Sequence, residues 1–228
     1  MISLLLPTRG RPHLMKDLVA SYRENSHNKE QNELLIYLQN DDNSVPEYVN
    51  VFQEINLKQD RDFFILNPYP TGHMWNLLAD KAKGDLLCLM GDDVVIETPG
   101  WDRQIEEAAK KYQDNIFVIA VNDGRSPDPN HLGCPHPVLH RRWKEILGFF
   151  MPPMFMHRYL DRYTAHLAIQ LDRFIQLPDV MFKHNKKATK RDSTGKLSRT
   201  WCPLDAYNWN VSQRYFQHDL ELLRKHIK

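Results

Sequence analysis

The chain has 228 residues, long enough to bury a sizeable core, and its 42% hydrophobic and 26% charged content is that of an ordinary globular protein. No apolar run approaches the roughly 20 residues needed to span a bilayer. The opening MISLLLP lacks the basic segment and small-residue cleavage site of a signal peptide, and three scattered cysteines exclude a disulfide framework, so a reduced, cytoplasmic protein is expected. The net charge of +1 hides an asymmetry: residues 1–124 carry 12 Lys/Arg against 20 Asp/Glu, and residues 125–228 carry 18 against 9. An acidic half suits a cation and a basic half suits an anionic ligand.

Short apolar runs alternate with amphipathic stretches through the first half. Strands are predicted at Ile2–Leu6, Leu34–Leu38, Phe63–Leu66, Asp85–Met90 and Ile116–Val121. Helices are predicted between them at Pro12–Glu24, Pro46–Glu54, Gly72–Lys83 and Gly100–Tyr112, each entered through Pro, Gly or a short polar residue. This β-α series predicts an open α/β sheet, in which ligands sit at the carboxyl ends of the strands. Beyond Asn122 the sequence turns Pro-, His- and aromatic-rich. A helix over Arg158–Phe174, a short strand Val180–Lys183, a basic loop HNKKATKRDSTGKLSRT and a helical tail over Val211–Ile227 are then expected. The second half is read as completing the same single domain, with 1–124 the ligand-binding half and 125–228 the half that receives a second substrate.

The residues directly after the strands are therefore the ones to inspect. They are Pro7-Thr8-Arg9-Gly10-Arg11, Gln39-Asn40-Asp41-Asp42-Asn43-Ser44 and Gly91-Asp92-Asp93. A buried LLCLM strand running into adjacent carboxylates is costly unless the charges meet a cation or a hydrogen-bond network. Mg2+ or Mn2+ suits few carboxylates completed by water and diphosphate oxygens. A solvated turn or a helix cap before Thr98-Pro99-Gly100 accounts for the same pair equally well.

The order of the motifs resembles that of the family 2 glycosyltransferases, which have the GT-A fold. A strand ending in Pro-Thr and a basic turn is similar to LLLPTRGRP, and the second-strand acidic turn to Asp41-Asp42-Asn43-Ser44. The family's Gly, Arg-Asn and Gly-Asp positions, leading to Asp-x-Asp, resemble Gly72, Trp75-Asn76, Gly84-Asp85 and Gly91-Asp92-Asp93. The likeness covers roughly the first 120 residues well and the rest more loosely. Gly91 replaces the first carboxylate, and Trp75 stands where the family often has Arg, with His73 a substitute. The resemblance implies a nucleotide-sugar donor, of the UDP type in view of Asp41, held by Pro7, Thr8, Arg9, Arg11, Asp41, Asn76, Asp92 and Asp93. It further implies Asp93 and His184 as ligands to Mn2+ or Mg2+, and Asp161 in MHRYLDRY as the general base of an inverting transfer. Asp172 and Asp179 are weaker contenders for the base. The basic loop, with Lys183, Lys186, Lys187, Lys190, Arg191, Lys196 and Arg199, would fold over the diphosphate.

His140, Arg141 and Trp143 are expected to line the acceptor cleft. A zinc cluster built from His131, Cys134, His136 and His140 is a rival for that segment. Saccharide and protein acceptors are open. So is a hydroxymethylated base in DNA, as modified by viral enzymes acting in the host cytoplasm, because Trp143, Trp201, Tyr207 and Trp209 among basic residues could stack on nucleotides. A non-catalytic nucleotide-sugar or nucleic-acid-binding protein is the alternative from another class.

Overall fold

The computed structural model describes residues 1–124, 134–184 and 193–227, without the side chains of 193–199. The first half forms the alternation expected: β1 (Ile2–Thr8), α1 (Pro12–Asn25), β2 (Glu33–Gln39), α2 (Val45–Glu54), β3 (Phe63–Leu66), α3 (Thr71–Lys81) and β4 (Leu86–Leu89). Next come a short β5 (Val94–Ile96), α4 (Trp101–Ala109) and β6 (Val118–Asn122). The remainder holds β7 (Val138–His140), α5 (Arg141–Leu147), α6 (Leu160–Gln170), β8 (Phe174–His184), α7 (Ser193–Val211) and α8 (Gln213–Arg224).

The strands form one sheet in the order β3-β2-β1-β4-β7-β6-β8-β5. The first four in that order run parallel, and β7 runs antiparallel between β4 and β6. β8 pairs parallel with β6, shifts register, and ends antiparallel to β5 with Val94 opposite His184. Because successive strand side chains point to opposite faces, the strands feed two apolar layers. Leu5, Leu87 and Val118 pack with α3, α5, α6 and α8, whereas Leu4, Cys88 and Ile119 pack with α1, α2 and α4. The result is a sheet between helices, with β1 buried along its whole length.

The second half departs from its sequence reading. The helix expected to reach Phe174 stops at Gln170, because Asp172 adopts a left-handed φ of 56° that turns the chain into β8. β8 itself is 11 residues long, its alternation broken by exposed Gln176, Pro178 and Asp179. The basic loop is cut short by α7, which takes in the Lys196 and Arg199 positions. Lys186, Lys187, Lys190 and Arg191 lie outside the described residues. No helix among the described residues is long and apolar enough to cross a membrane.

Candidate donor-binding site

The turns after β1, β2 and β4 meet at the carboxyl edge of the sheet. Thr8, which follows buried Pro7 in β1, donates from Oγ1 to Asp92 Oδ2 at 2.8 Å and sits 2.7 Å from the Tyr48 hydroxyl. That hydroxyl accepts the backbone N–H of Arg11 at 2.7 Å, and the Arg11 guanidinium reaches Asp92 Oδ1 at 2.6 Å. Burial pushes the Asp92 carboxyl up to about 6, against the opposing pull of Arg11. The sequence resemblance placed both Arg11 and Asp92 among the donor contacts. The structure instead commits them to each other beneath the site, where the charge of one offsets the desolvation of the other.

Beside this knot, Arg9 reaches the Gln39 amide oxygen and, at 2.5 Å, Asp41 Oδ1. The two neighbouring acids divide the work of the turn. Asp42 is buried and accepts the backbone N–H groups of Gly10 at 2.8 Å and Ser44 at 3.0 Å, which leaves Asp41 on the surface next to Arg9.

At the β4 turn, a Cβ added to Gly91 would lie 3.0 Å from Asp93 Oδ1 and 3.7 Å from His136 Cε1. The missing side chain thus leaves a notch bordered by a half-buried carboxylate and a buried imidazole. His184 enters the same corner through its register opposite Val94, with its ring 5.6 Å from that of His136. Its Nδ1 lies 3.6 Å from Asp123 Oδ2, within ion-pair range and beyond hydrogen-bond length. Among the described residues no three metal-ligating side chains converge. The oxygen and nitrogen donors of Asp93 and His184 fit Mn2+ or Mg2+ if diphosphate and water oxygens complete the shell. His136 was weighed in the sequence only as part of a zinc cluster. Its place here comes from β7, whose chain enters from the carboxyl edge.

Asp161 is the second residue of α6 and partly exposed. Burial, and after it the charge of Asp161, pushes the Cys134 thiol up. Four residues earlier, His157 Nδ1 lies 3.2 Å from the Thr71 hydroxyl at the start of α3. Thr71 carries no sequence motif, and His157, within MHRYLDRY, was assigned no role from the sequence. Asp172 and Asp179 are exposed at the start and middle of β8 and belong to no such cluster.

Several expected site residues are structural. Asn76 accepts the N–H groups of Phe150 and Met151 at 2.8 and 2.9 Å and donates to Met151 O at 2.8 Å, which consumes its amide away from any donor. His140 pairs with Leu86 at the amino end of β4, the edge opposite the site, and its Nδ1 caps α5 by accepting the Arg142 N–H at 3.0 Å. Arg141 donates to Ala82 O and Gly84 O at 2.6 and 2.8 Å. Trp143 is 1% exposed in the core and cannot touch an acceptor. The zinc cluster fails as well. His131 lies outside the described residues. His136 and His140 are four residues apart across β7, roughly 13 Å at strand rise. Of the four aromatic residues that suggested a DNA acceptor, Trp143 is buried and Trp209 is stacked on Tyr159, while Tyr207 is exposed.

Neither a protein-family model nor a curated protein matches the chain. Solved structures do. The mannosyltransferase PcManGT from Pyrobaculum calidifontis, in complex with GDP-Man and Mn2+, superposes with a TM-score of 0.65 at 17% identity, covering 87% of this chain and 60% of that one. S. aureus TarS 1-349 in complex with UDP-GlcNAc gives 0.61 at 14% identity, over 82% of this chain and 59% of the other. The chain therefore spans about three-fifths of the length of these structures. At such identities the likeness is one of fold, and the GT-A α/β fold expected from the sequence is the fold observed.

Proposed function

We propose that this chain is a metal-dependent glycosyltransferase that moves a sugar from a nucleoside-diphosphate donor, of the uridine type, to a hydroxyl acceptor with inversion at the anomeric carbon. The observation that carries the reading is the Gly91 notch bordered by Asp93 and His136, with His184 beside His136 and paired opposite Val94, at the carboxyl edge of a fold shared with a mannosyltransferase holding GDP-Man and Mn2+.

The nucleoside lies against Pro7, Thr8, Arg9 and Asp41, where Asp41 accepts from a base N–H and Arg9 holds that carboxylate in place. Asp93 and His184 hold the cation. When bound, Mn2+ or Mg2+ supplies charge to stabilise the departing diphosphate. Asp161 takes the proton of the acceptor hydroxyl as its oxygen bonds to the anomeric carbon and the bond to the diphosphate oxygen breaks. Asp92 and Arg11 act from below by locking the first turn to the β4 turn.

The test is a titration of UDP- and GDP-sugars with Mn2+, following binding and donor hydrolysis in wild type, Asp93→Ala and Asp161→Ala. Expected are loss of Mn2+-dependent binding in the first variant, and retained binding with lost turnover in the second. Normal binding and hydrolysis by Asp93→Ala would overturn the metal assignment. Absence of any nucleotide-sugar binding by wild type would overturn the whole reading.

A further inference from the structure

Asp205 on α7 is fully buried, and no sequence motif assigned it a role. Its carboxylate accepts three successive backbone N–H groups, from Met156 at 2.6 Å, His157 at 3.0 Å and Arg158 at 2.7 Å. A buried carboxylate is costly unless donors surround it, and amides outside helix or sheet are costly unless accepted, so each satisfies the other. The same helix grips the segment at two further points. Asn208 Nδ2 donates to Met154 O at 2.5 Å, and Trp209 stacks on Tyr159 with ring centroids 5.2 Å apart. Tyr159 holds a left-handed φ of 67°, a conformation that tertiary contacts must maintain.

The opposite side of the segment rests on the first turn of α3. The Gly72 N–H donates to Met156 O at 3.1 Å, and a Cβ on Gly72 would fall 2.6 Å from Phe155 O. Only glycine permits that approach. Residues 154–159 are thus clamped between α3 and α7, and the side chain presented from the middle of the clamp is His157. Burial lowers its basicity, so the ring is neutral at physiological pH, and its charged neighbours include Arg11 and Asp93 of the donor site as well as Asp205 and Arg158.

We propose that His157 is a donor-contacting residue that hydrogen-bonds a terminal phosphate oxygen of the nucleoside diphosphate, and that Asp205 is the residue that positions it from α7. With Nδ1 accepting from the Thr71 hydroxyl, Nε2 carries the ring hydrogen and donates to the anionic oxygen. The location agrees with the chemistry. His157 lies against Thr71 at the start of α3, which follows the carboxyl end of β3 on the sheet edge that also carries the Asp93 turn, and it precedes Asp161 by four residues. The inference rests on the glycosyltransferase reading above and adds α7 to the machinery of that site.

The experiment compares UDP with UMP, and GDP with GMP, as ligands in the presence of Mn2+, using calorimetry on the full chain. Wild type should prefer the diphosphate, and His157→Ala should lose about ten-fold or more in diphosphate affinity while retaining that for the monophosphate, since a hydrogen bond to a charged group is removed. Asp205→Asn should reproduce the loss. The double variant should be no weaker than His157→Ala alone, because residues acting through one another are not additive. Should Asp205→Asn fail to fold, Gly72→Ala displaces the same segment from the α3 side and should produce the same selective loss. An unchanged diphosphate preference in His157→Ala, or additive losses in the double variant, overturns the inference. If wild type binds no nucleotide with Mn2+, the glycosyltransferase reading itself has failed.

Discussion

Replacing Arg11 by methionine should destabilise the fold by about 3 kcal/mol, because it removes one partner of a buried ion pair and leaves the other behind. The Arg11 and Asp92 side chains are 9% and 6% exposed and 2.6 Å apart, so water cannot screen the pair or replace the lost partner. Breaking such pairs typically costs about 3 to 5 kcal/mol. The lower end applies because Asp92 keeps its bond from the Thr8 hydroxyl. For a chain of this length that corresponds to a drop in Tm of roughly 6 to 12 °C. The double variant Arg11→Met/Asp92→Asn removes the stranded charge and should recover the loss to within about 1 kcal/mol of wild type. Urea denaturation followed by circular dichroism, with thermal scans in parallel, measures both quantities. A loss below about 1 kcal/mol in the single variant, or a double variant as unstable as the single, would refute the claim that the two charges sustain each other beneath the site. Donor binding by a refolded double variant would then separate Arg11 as support from Arg11 as a diphosphate contact.

Other consequences are directly measurable. Asn76→Ala should cost about 3 kcal/mol, since it strands the buried N–H groups of Phe150 and Met151, with nucleotide affinity unchanged below the unfolding transition. A loss of affinity without loss of stability would return Asn76 to the donor site. Gly91→Ala should fold but lower the Mn2+-dependent thermal shift produced by UDP, because its Cβ must press on Asp93 Oδ1. Chelation of divalent ions should abolish that same shift while leaving the Tm of the nucleotide-free protein unchanged. Burial raises the Asp219 carboxyl above its usual 3.8, with the Tyr163 hydroxyl opposing at 2.7 Å. A raised folded value means that ionisation works against folding, a penalty absent below the unfolded value and complete above the folded one. Asp219→Asn should therefore gain in Tm over wild type as pH rises from 4 to 8, and a difference independent of pH would contradict the assignment.

The parallel half of the sheet was legible because β1, β2 and β4 are apolar runs bounded by turn residues, and because α1 opens on Pro12, α3 on Thr71, and α2 and α4 are entered through Ser44 and Gly100. β5 and β7, of three residues each, are too short to show a period. α7 was hidden by Gly195 and by Pro203 inside the helix, residues that ordinarily argue against one. In the site, the sequence pointed to the right turns but could not apportion their side chains. Arg11 and Asp92 are 81 residues apart, and Asn76 and Met151 are 75 apart, so which polar group satisfies which is decided only once the layers pack. Asp205 was unreadable for the same reason, since the amides it receives lie 47 to 49 residues upstream and no local pattern marks it.

The reversed strand β7 has a consequence for the connection that leads into it. In an all-parallel sheet the chain leaving one strand must return to the opposite edge before the next begins. Here β6 ends and β7 begins at the same edge, the one carrying the Asp93 turn. Asn122, where β6 ends, and Val138, where β7 begins, therefore both sit at that rim, and joining them requires no crossover to the opposite edge. A connection that need not traverse the sheet has its length fixed neither by a crossover nor by strand pairing, so it can be lengthened or rewritten without disturbing the register of β6 on β7.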